Sequence, residues 1–204
     1  MYASEGYLVV MPDQFGGDPA TTTVIPDEKE EQPSFLEKVK LGIAEAAKSF
    51  SIDMWLARHT PETVLPRLHK VIDALKDEFA DAIANGGGMY GVGYCFGGKY
   101  IMLLASELDA EHAAGQKDDA AQPADATKAR GPALKAGLVA HGTDISKTDF
   151  ERVKSPLGIV AVEGDNLFPD KVREEGVKTL KAKGVEVESW VYPGVPHGKS
   201  CLSP

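Results

Sequence analysis

Cysteine is scarce in this sequence, since Cys95 and Cys201 are the two that occur among 204 residues. So low a count argues against a secreted scaffold built on disulfides and is compatible with a reducing compartment. Long apolar runs are also lacking, because none approaches the roughly 18 residues that a membrane span requires. Residues 1–20 have neither the basic region nor the cleavage pattern of a signal peptide. We therefore expect a cytoplasmic protein that does not contact membrane.

Basic side chains are fewer than acidic ones. The sequence has 22 Lys and Arg against 31 Asp and Glu, a formal net charge of -9. Nucleic acids and anionic membrane surfaces repel such a protein, so neither is expected as a partner. The length and the 43% hydrophobic content predict one globular domain over residues 1–204.

Apolar strand-like runs alternate with helical patterns along the chain, which predicts an α/β fold with a mostly parallel sheet covered on both faces. Segment 109–134 differs, because it is rich in Ala, Asp, Lys and Gln, and we expect a polar insertion loop there. The predicted strands are 6–12, 89–94, 136–140, 157–162 and 185–192, and the predicted helices are 34–50, 60–85, 97–108 and 170–183.

Segment 93–98, Gly-Tyr-Cys-Phe-Gly-Gly, lies between a predicted strand and a predicted helix. This is the nucleophile-elbow pattern with Cys95 in the place of serine. Glycines two residues before and after the nucleophile are expected to relieve clashes at a strained turn. The turn would direct the sulfur to a helix N-terminus, where the dipole favours thiolate, and would aim the Phe96 N–H at a developing oxyanion. A small buried cysteine in a glycine-rich turn is the alternative interpretation.

Two further residues follow predicted strands at the same edge of the sheet. Asp165 comes directly after the strand at 157–162, and His197 comes after the last strand. A nucleophile needs a base and a group that orients the base, and the chain order Cys, Asp, His is that of α/β-hydrolase triads. Each residue alone would be read as a turn-capping Asp or a surface His. Together with Cys95 they predict a catalytic triad.

These motifs resemble those of the dienelactone hydrolase family. Its members carry a Gly-x-Cys-x-Gly-Gly elbow, an Asp followed four residues later by Pro, and a His-Gly after the last strand. Segment 4–15 and the Gly-Asp-Pro at 17–19 also resemble the family's entry into its substrate loop. The resemblance implies a three-layer α/β-hydrolase-like fold that cleaves a small ester or lactone through a Cys95 thioester, with no cofactor.

The resemblance also implies strands before the one at 6–12 and a helix after the His-Gly. The loop after one of those earlier strands supplies, in the family, a second oxyanion N–H and a Glu that helps to activate the thiol. We expect an N-terminally truncated version of the fold without them. Strands 6–12 and 89–94 would then have unpaired edges, and self-association through these edges is expected.

Other residues have two interpretations each. His141 ends a predicted strand at the active edge and is a candidate pocket residue or a structural histidine. Trp55 is a candidate pocket wall or a core aromatic. Cys201 could approach Cys95 or lie in a free tail. No group of residues in the sequence has the ligand spacing of a metal site, so no metal is expected.

Two other classes of function stay open. The first is a catalytically silent fragment that acts as a binding module. The second is a thiol redox protein that uses Cys95 and Cys201, although the sequence lacks the Cys-x-x-Cys arrangement.

Overall fold

A computed structural model describes residues 2–20, 52–107 and 131–198 of the chain. The predicted helix at 34–50 and nearly all of the predicted insertion at 109–134 lie outside these residues. Residues 52–58 are helical, and a short 3-10 turn covers Ala3–Glu5. The remaining elements, in chain order, are α1 (Pro61–Glu78), α2 (Ala80–Asn85), β1 (Tyr90–Tyr94), α3 (Phe96–Leu104), β2 (Ala136–Ala140), α4 (Lys147–Arg152), β3 (Leu157–Val162), α5 (Asp170–Ala182) and β4 (Val187–Tyr192).

The four strands form one parallel sheet in the order β1-β2-β3-β4. The predicted α/β class with a parallel sheet is therefore confirmed. Helix α3 packs against β1 and β2, while α5 packs against α4 and β4. Parallel strands place their carboxyl ends at one edge, so the loops after β1, β2, β3 and β4 meet there.

The core has two clusters of buried side chains. One lies between the sheet and helices α3, α4 and α5, and includes Val139, Phe150 and Ile159, which are 0–1% exposed. The other joins α1 to α3 through Val64, Leu65 and their neighbours. Burying such aliphatic and aromatic side chains contributes about 1.5–3 kcal/mol each, which fixes the helix that follows Cys95 against the sheet.

The long helix predicted at 60–85 begins as expected, with Pro61 at its first position after Thr60. It is interrupted at Phe79, whose φ of -119° and ψ of 32° are not helical, so α1 and α2 are separate. Sequence periodicity did not reveal this break. Helix α4 was not predicted either, although the Asp149 carboxylate accepts a hydrogen bond from the Ser146 N–H in a capping arrangement.

The strand predicted at 6–12 is wrong. Residues 7–13 form no strand, and the side chains from Tyr7 to Met11 are 42–94% exposed. An apolar run becomes a buried strand only where another strand satisfies its backbone groups. In the described part of the chain no strand lies beside this segment, and β1 ends the sheet with one edge unpaired.

The edge strand β1 also presents an apolar surface. Tyr90, Val92 and Tyr94 are 54%, 37% and 46% exposed. On β4, Trp190 and Tyr192 are likewise 43% and 50% exposed.

Across the described residues, no helix combines the length and the apolar character that crossing a bilayer would take.

Candidate active site

Cys95 occupies a sharp turn between β1 and α3. Its φ of 49° and ψ of -119° lie outside the regions that ordinary residues adopt, so its backbone is strained. The turn is held because the Cys95 N–H donates to the Ala140 carbonyl and the Cys95 carbonyl accepts from Gly98 and Thr143. The thiol is thereby presented, half-buried, at the carboxyl edge of the sheet.

The glycines around the turn do not contribute equally. A Cβ at Gly93 would lie 2.3 Å from the Gly97 carbonyl oxygen, and one at Gly98 would lie 2.8 Å from Val139. Side chains are therefore excluded at both positions by close packing. At Gly97 the expectation of a clash was wrong, because a Cβ there would have no neighbour within 4 Å among the described residues.

The structure brings Cys95, His197 and Asp165 into one chain of contacts. His197 Nε2 lies 3.3 Å from Cys95 Sγ, and His197 Nδ1 lies 2.6 Å from an Asp165 carboxylate oxygen. The Asp165 side chain is 2% exposed, whereas that of His197 is 19% exposed. A carboxylate at Nδ1 favours the tautomer whose Nε2 lone pair faces the sulfur.

The loop after β3 holds Asp165 in this orientation. The second carboxylate oxygen of Asp165 accepts a hydrogen bond of 2.9 Å from the Leu167 N–H. Asp170 anchors the same loop, because its carboxylate accepts from the Gly164 N–H at 2.9 Å and from Arg173 at 3.0 Å. The Gly164 hydrogen bond, and then Arg173, lower the pKa of Asp170, which keeps it ionised as the anchor of the loop.

Thr143 is a site residue that sequence reasoning missed. Its Oγ1 lies 3.2 Å from Cys95 Sγ and 3.4 Å from His197 Nε2. It comes after β2, as Asp165 and His197 come after β3 and β4. A polar residue just past a strand end was the available signal, but threonine is common in turns and has no motif of its own here.

His141, a candidate pocket residue, is buried beside His197. Their ring centroids are 5.0 Å apart, and His141 is 7% exposed. Its φ of 37° is positive, which is uncommon for a residue other than glycine. Burial, and then the charge of His197, lower the pKa of His141 below its usual 6.5, which favours the neutral imidazole.

Trp55, the other candidate pocket residue, lies in an aromatic cluster next to the elbow. It stacks on His59 at 4.4 Å between centroids and meets Phe96 edge-on at 5.0 Å. Phe15 contacts Trp55 and Phe96 at 5.0 and 5.7 Å. Phe15 ends segment 4–15, which resembles the family's entry into its substrate loop, but it was not named as a pocket residue. Its turn is held by the Asp13 carboxylate, which accepts two backbone hydrogen bonds.

Phe96 is the first residue of α3, so its N–H belongs to the helix start, where N–H groups have no acceptor within the helix. Cys201 lies outside the described residues.

Cys95, His141 and His197 each offer one ligand atom, and these three atoms lie within 4.8 Å of one another. The linear spacing of these residues did not predict such a group.

Comparison with known proteins decides the family. The model of the dienelactone hydrolase family matches residues 1–116 and 121–202. The chain belongs to the dienelactone hydrolase family. The resemblance drawn from the elbow, the Asp and the His-Gly is thereby confirmed.

Two curated fungal relatives align with nearly all of this family member. Hydrolase pyvD of Aspergillus violaceofuscus is 29% identical over 200 residues, which cover 97% of this chain and 60% of the relative. Hydrolase tropI of Talaromyces stipitatus is 27% identical over 199 residues, covering 97% and 61%. The chain thus spans about 60% of the length of these relatives.

Solved structures share the fold at low identity. Thermogutta terrifontis esterase 2, phosphoramylated by tabun, superposes with a TM-score of 0.52 at 14% identity, covering 68% of this chain and 55% of the esterase. An acetyl ester-xyloside bifunctional hydrolase from Caldicellulosiruptor lactoaceticus gives a TM-score of 0.50 at 13% identity, with coverage of 67% and 57%. The α/β-hydrolase-like fold expected of a dienelactone hydrolase family member is confirmed.

Proposed function

We propose that this chain hydrolyses a small carboxylic ester or lactone through a thioester on Cys95, with His197 and Asp165 completing the catalytic triad. The contact of 3.3 Å between Cys95 Sγ and His197 Nε2, with Asp165 at 2.6 Å behind the ring, carries this proposal. Membership of the dienelactone hydrolase family supports ester hydrolysis as the reaction class.

The first half of the reaction forms the thioester. His197 Nε2 takes the thiol proton while Sγ attacks the carbonyl carbon, and the oxyanion lies against the Phe96 N–H. When the tetrahedral intermediate collapses, the C–O bond breaks and His197 gives its proton to the leaving alkoxide. Asp165 holds the imidazole and stabilises its transient positive charge.

The second half regenerates the thiol. Water attacks the thioester carbonyl while His197 Nε2 takes one of its protons. The C–S bond then breaks, and the sulfur recovers a proton from His197 as the acid is released. Thr143 is a positioning residue in this scheme, since its hydroxyl lies within 3.4 Å of both the sulfur and Nε2.

The substrate is proposed to be a small molecule that packs against the aromatic cluster, with Trp55 and Phe96 as the wall and His141 at the inner side. Thiolate chemistry suits an activated ester or a lactone, because an amide requires stronger protonation of its leaving group. No cofactor takes part in the proposed steps.

The decisive experiment combines turnover with trapping of the acyl group. We expect p-nitrophenyl acetate to be hydrolysed, and rapid acid quenching followed by peptide mass spectrometry to find an acetyl group on Cys95. The variant Cys95→Ala should lose both, whereas Cys201→Ala should keep both. Turnover that survives in Cys95→Ala would contradict the proposal. Tight ligand binding without any turnover would favour the silent binding module. A Cys95–Cys201 disulfide that a thiol reductant cleaves, in a protein without turnover, would favour the redox alternative.

We propose in addition that the free edge of β1 pairs with β1 of a second copy of this chain. Two observations support the proposal: in the described part of the chain no strand pairs with this edge, and the side chains of Tyr90, Val92 and Tyr94 are exposed. Light scattering after gel filtration should detect a dimer or larger species, and Val92→Lys should shift it toward monomer. A monomeric wild-type protein would refute this proposal without affecting the hydrolase proposal.

A further inference from the structure

His141 has a property that the proposed hydrolysis does not use. Its imidazole is buried, with 7% of the residue exposed, yet neither ring nitrogen has a hydrogen-bond partner in another residue of the described chain. Buried polar atoms are nearly always paired, and an exception calls for an explanation such as a bound ion. The His141 ring packs against His197, so its two nitrogen atoms lie beside the candidate triad and not elsewhere in the core.

The atoms next to His141 are metal ligands by chemical type. Cys95 Sγ, His197 Nε2 and a His141 ring nitrogen lie within 4.8 Å of one another, and the first two are 3.3 Å apart. With Zn–S near 2.3 Å and Zn–N near 2.0–2.1 Å, a tetrahedral zinc ion separates its sulfur and nitrogen ligands by about 3.5 Å. Cys95 and His197 already have this spacing, and His141 reaches it by moving little more than about 1 Å.

The surroundings of His197 complete the arrangement. Asp165 accepts a hydrogen bond from His197 Nδ1 at 2.6 Å, which leaves the Nε2 lone pair free for a metal. Metal-binding histidines commonly have such a carboxylate behind the ring, where it orients the ring and makes it more basic.

We propose that Cys95, His141 and His197 bind a thiophilic divalent cation, Zn²⁺, with its fourth position open to solvent. On binding, the Cys95 S–H bond breaks, the sulfur forms a bond to the metal, and the proton is released to the solvent. One sulfur and two imidazole ligands suit Zn²⁺ and do not suit Mg²⁺ or Ca²⁺, which prefer oxygen.

Zinc at this position would act as a reversible inhibitor. It occupies the sulfur lone pair that would attack the substrate and the Nε2 lone pair that would accept the proton. This regulatory consequence rests on the proposed hydrolase function, whereas the binding itself rests on the geometry alone.

Cobalt serves as the spectroscopic probe because Co²⁺ reports its ligands directly. We expect the full chain to bind one Co²⁺ with a near-ultraviolet thiolate-to-cobalt charge-transfer band that Zn²⁺ displaces and Mg²⁺ does not. The variant Cys95→Ser should lose the band. The variant His141→Gln should weaken Zn²⁺ binding more than about 10-fold, and Asp165→Asn should weaken it about 10–100-fold, as loss of an outer-shell partner does.

The matched control is His69→Gln, which changes a buried histidine on α1 and should leave the metal affinity unchanged. Circular dichroism of each variant checks its fold, and the Cys95→Ser result decides the question if His141→Gln does not fold. A bound Co²⁺ without the charge-transfer band, or wild-type affinity in a folded His141→Gln, would overturn the proposal. An active esterase that zinc leaves unaffected would refute the metal site alone. Zinc binding by a chain that has no esterase activity in its metal-free form would refute the hydrolase function alone.

Discussion

The change Asp165→Asn tests the triad at the place where the geometry is best defined. The carboxylate is buried, and its two oxygens have separate partners, the His197 Nδ1 at 2.6 Å and the Leu167 N–H at 2.9 Å. Asparagine has the same shape, so the change alters hydrogen bonding and charge rather than packing.

The orientation of the new amide follows from these partners. Because the Leu167 N–H must face an acceptor, the amide oxygen takes that side and the amide NH₂ faces His197. His197 Nδ1 then has to accept a hydrogen bond, and the proton moves to Nε2. In this tautomer the ring cannot take the thiol proton of Cys95.

We expect kcat to fall by about 10⁴-fold, the loss measured for the matching change in a serine protease triad. This corresponds to about 5 kcal/mol of transition-state stabilisation. KM should change far less, because Asp165 is buried behind the imidazole. The assay is p-nitrophenyl acetate hydrolysis over a range of concentrations, with thermal unfolding of each variant as the check on folding.

Glu163→Gln is the matched control, since Glu163 is an exposed carboxylate two residues earlier in the same loop. It should retain wild-type turnover. A folded Asp165→Asn variant within tenfold of wild type would refute the reasoning, and a large loss in Glu163→Gln would assign the carboxylate role to that residue.

Three other changes test neighbouring parts of the elbow. Gly93→Ala should destabilise the protein by about 1–3 kcal/mol in urea unfolding, because its Cβ would lie 2.3 Å from a backbone oxygen. Gly97→Ala should be tolerated. Equal losses of stability in the two variants would contradict the different packing of the two glycines. Thr143→Val should lower kcat about 2–10-fold, which corresponds to the loss of one ordinary hydrogen bond. The control Thr148→Val changes an exposed threonine and should leave kcat unchanged. A Thr143→Val variant with the kcat of wild type would exclude the positioning role. Burial lowers the pKa of His141 in the folded protein, so at a pH just below 6.5 the unfolded chain binds a proton that the folded protein does not. The folded protein therefore loses stability as the pH falls from 6.5 toward the lowered pKa. His141→Gln should therefore lose less stability than wild type between pH 7 and pH 5 in urea unfolding, and identical losses would contradict this assignment.

Local sequence determined those features whose causes are local. Pro61 after Thr60 marks the start of α1, and runs of aliphatic residues bounded by turns mark β2 and β3. The elbow around Cys95 is also a local motif, because the turn needs its glycine at 93 within a few residues of the nucleophile. Such patterns depend on neighbours in the chain, so they are readable before any folding is known.

The order of Cys95, Asp165 and His197 indicated a shared edge, since parallel strands end on one side of the sheet. The distances of 2.6 Å between His197 and Asp165 and of 3.3 Å between His197 and Cys95 depend on contacts between residues far apart in sequence. Thr143 and His141 became visible as neighbours of this group only in the tertiary structure, because neither carries a motif.

Segment 6–12 shows the limit of sequence pattern most clearly. Its composition is that of a buried strand, yet among the described residues no strand pairs with it and its side chains are exposed. A strand is a property of two backbones, because its hydrogen bonds are made to another strand. The apolar residues by themselves determined a preference for extended, buried structure, and the tertiary structure decided that no neighbouring strand in the described chain meets it.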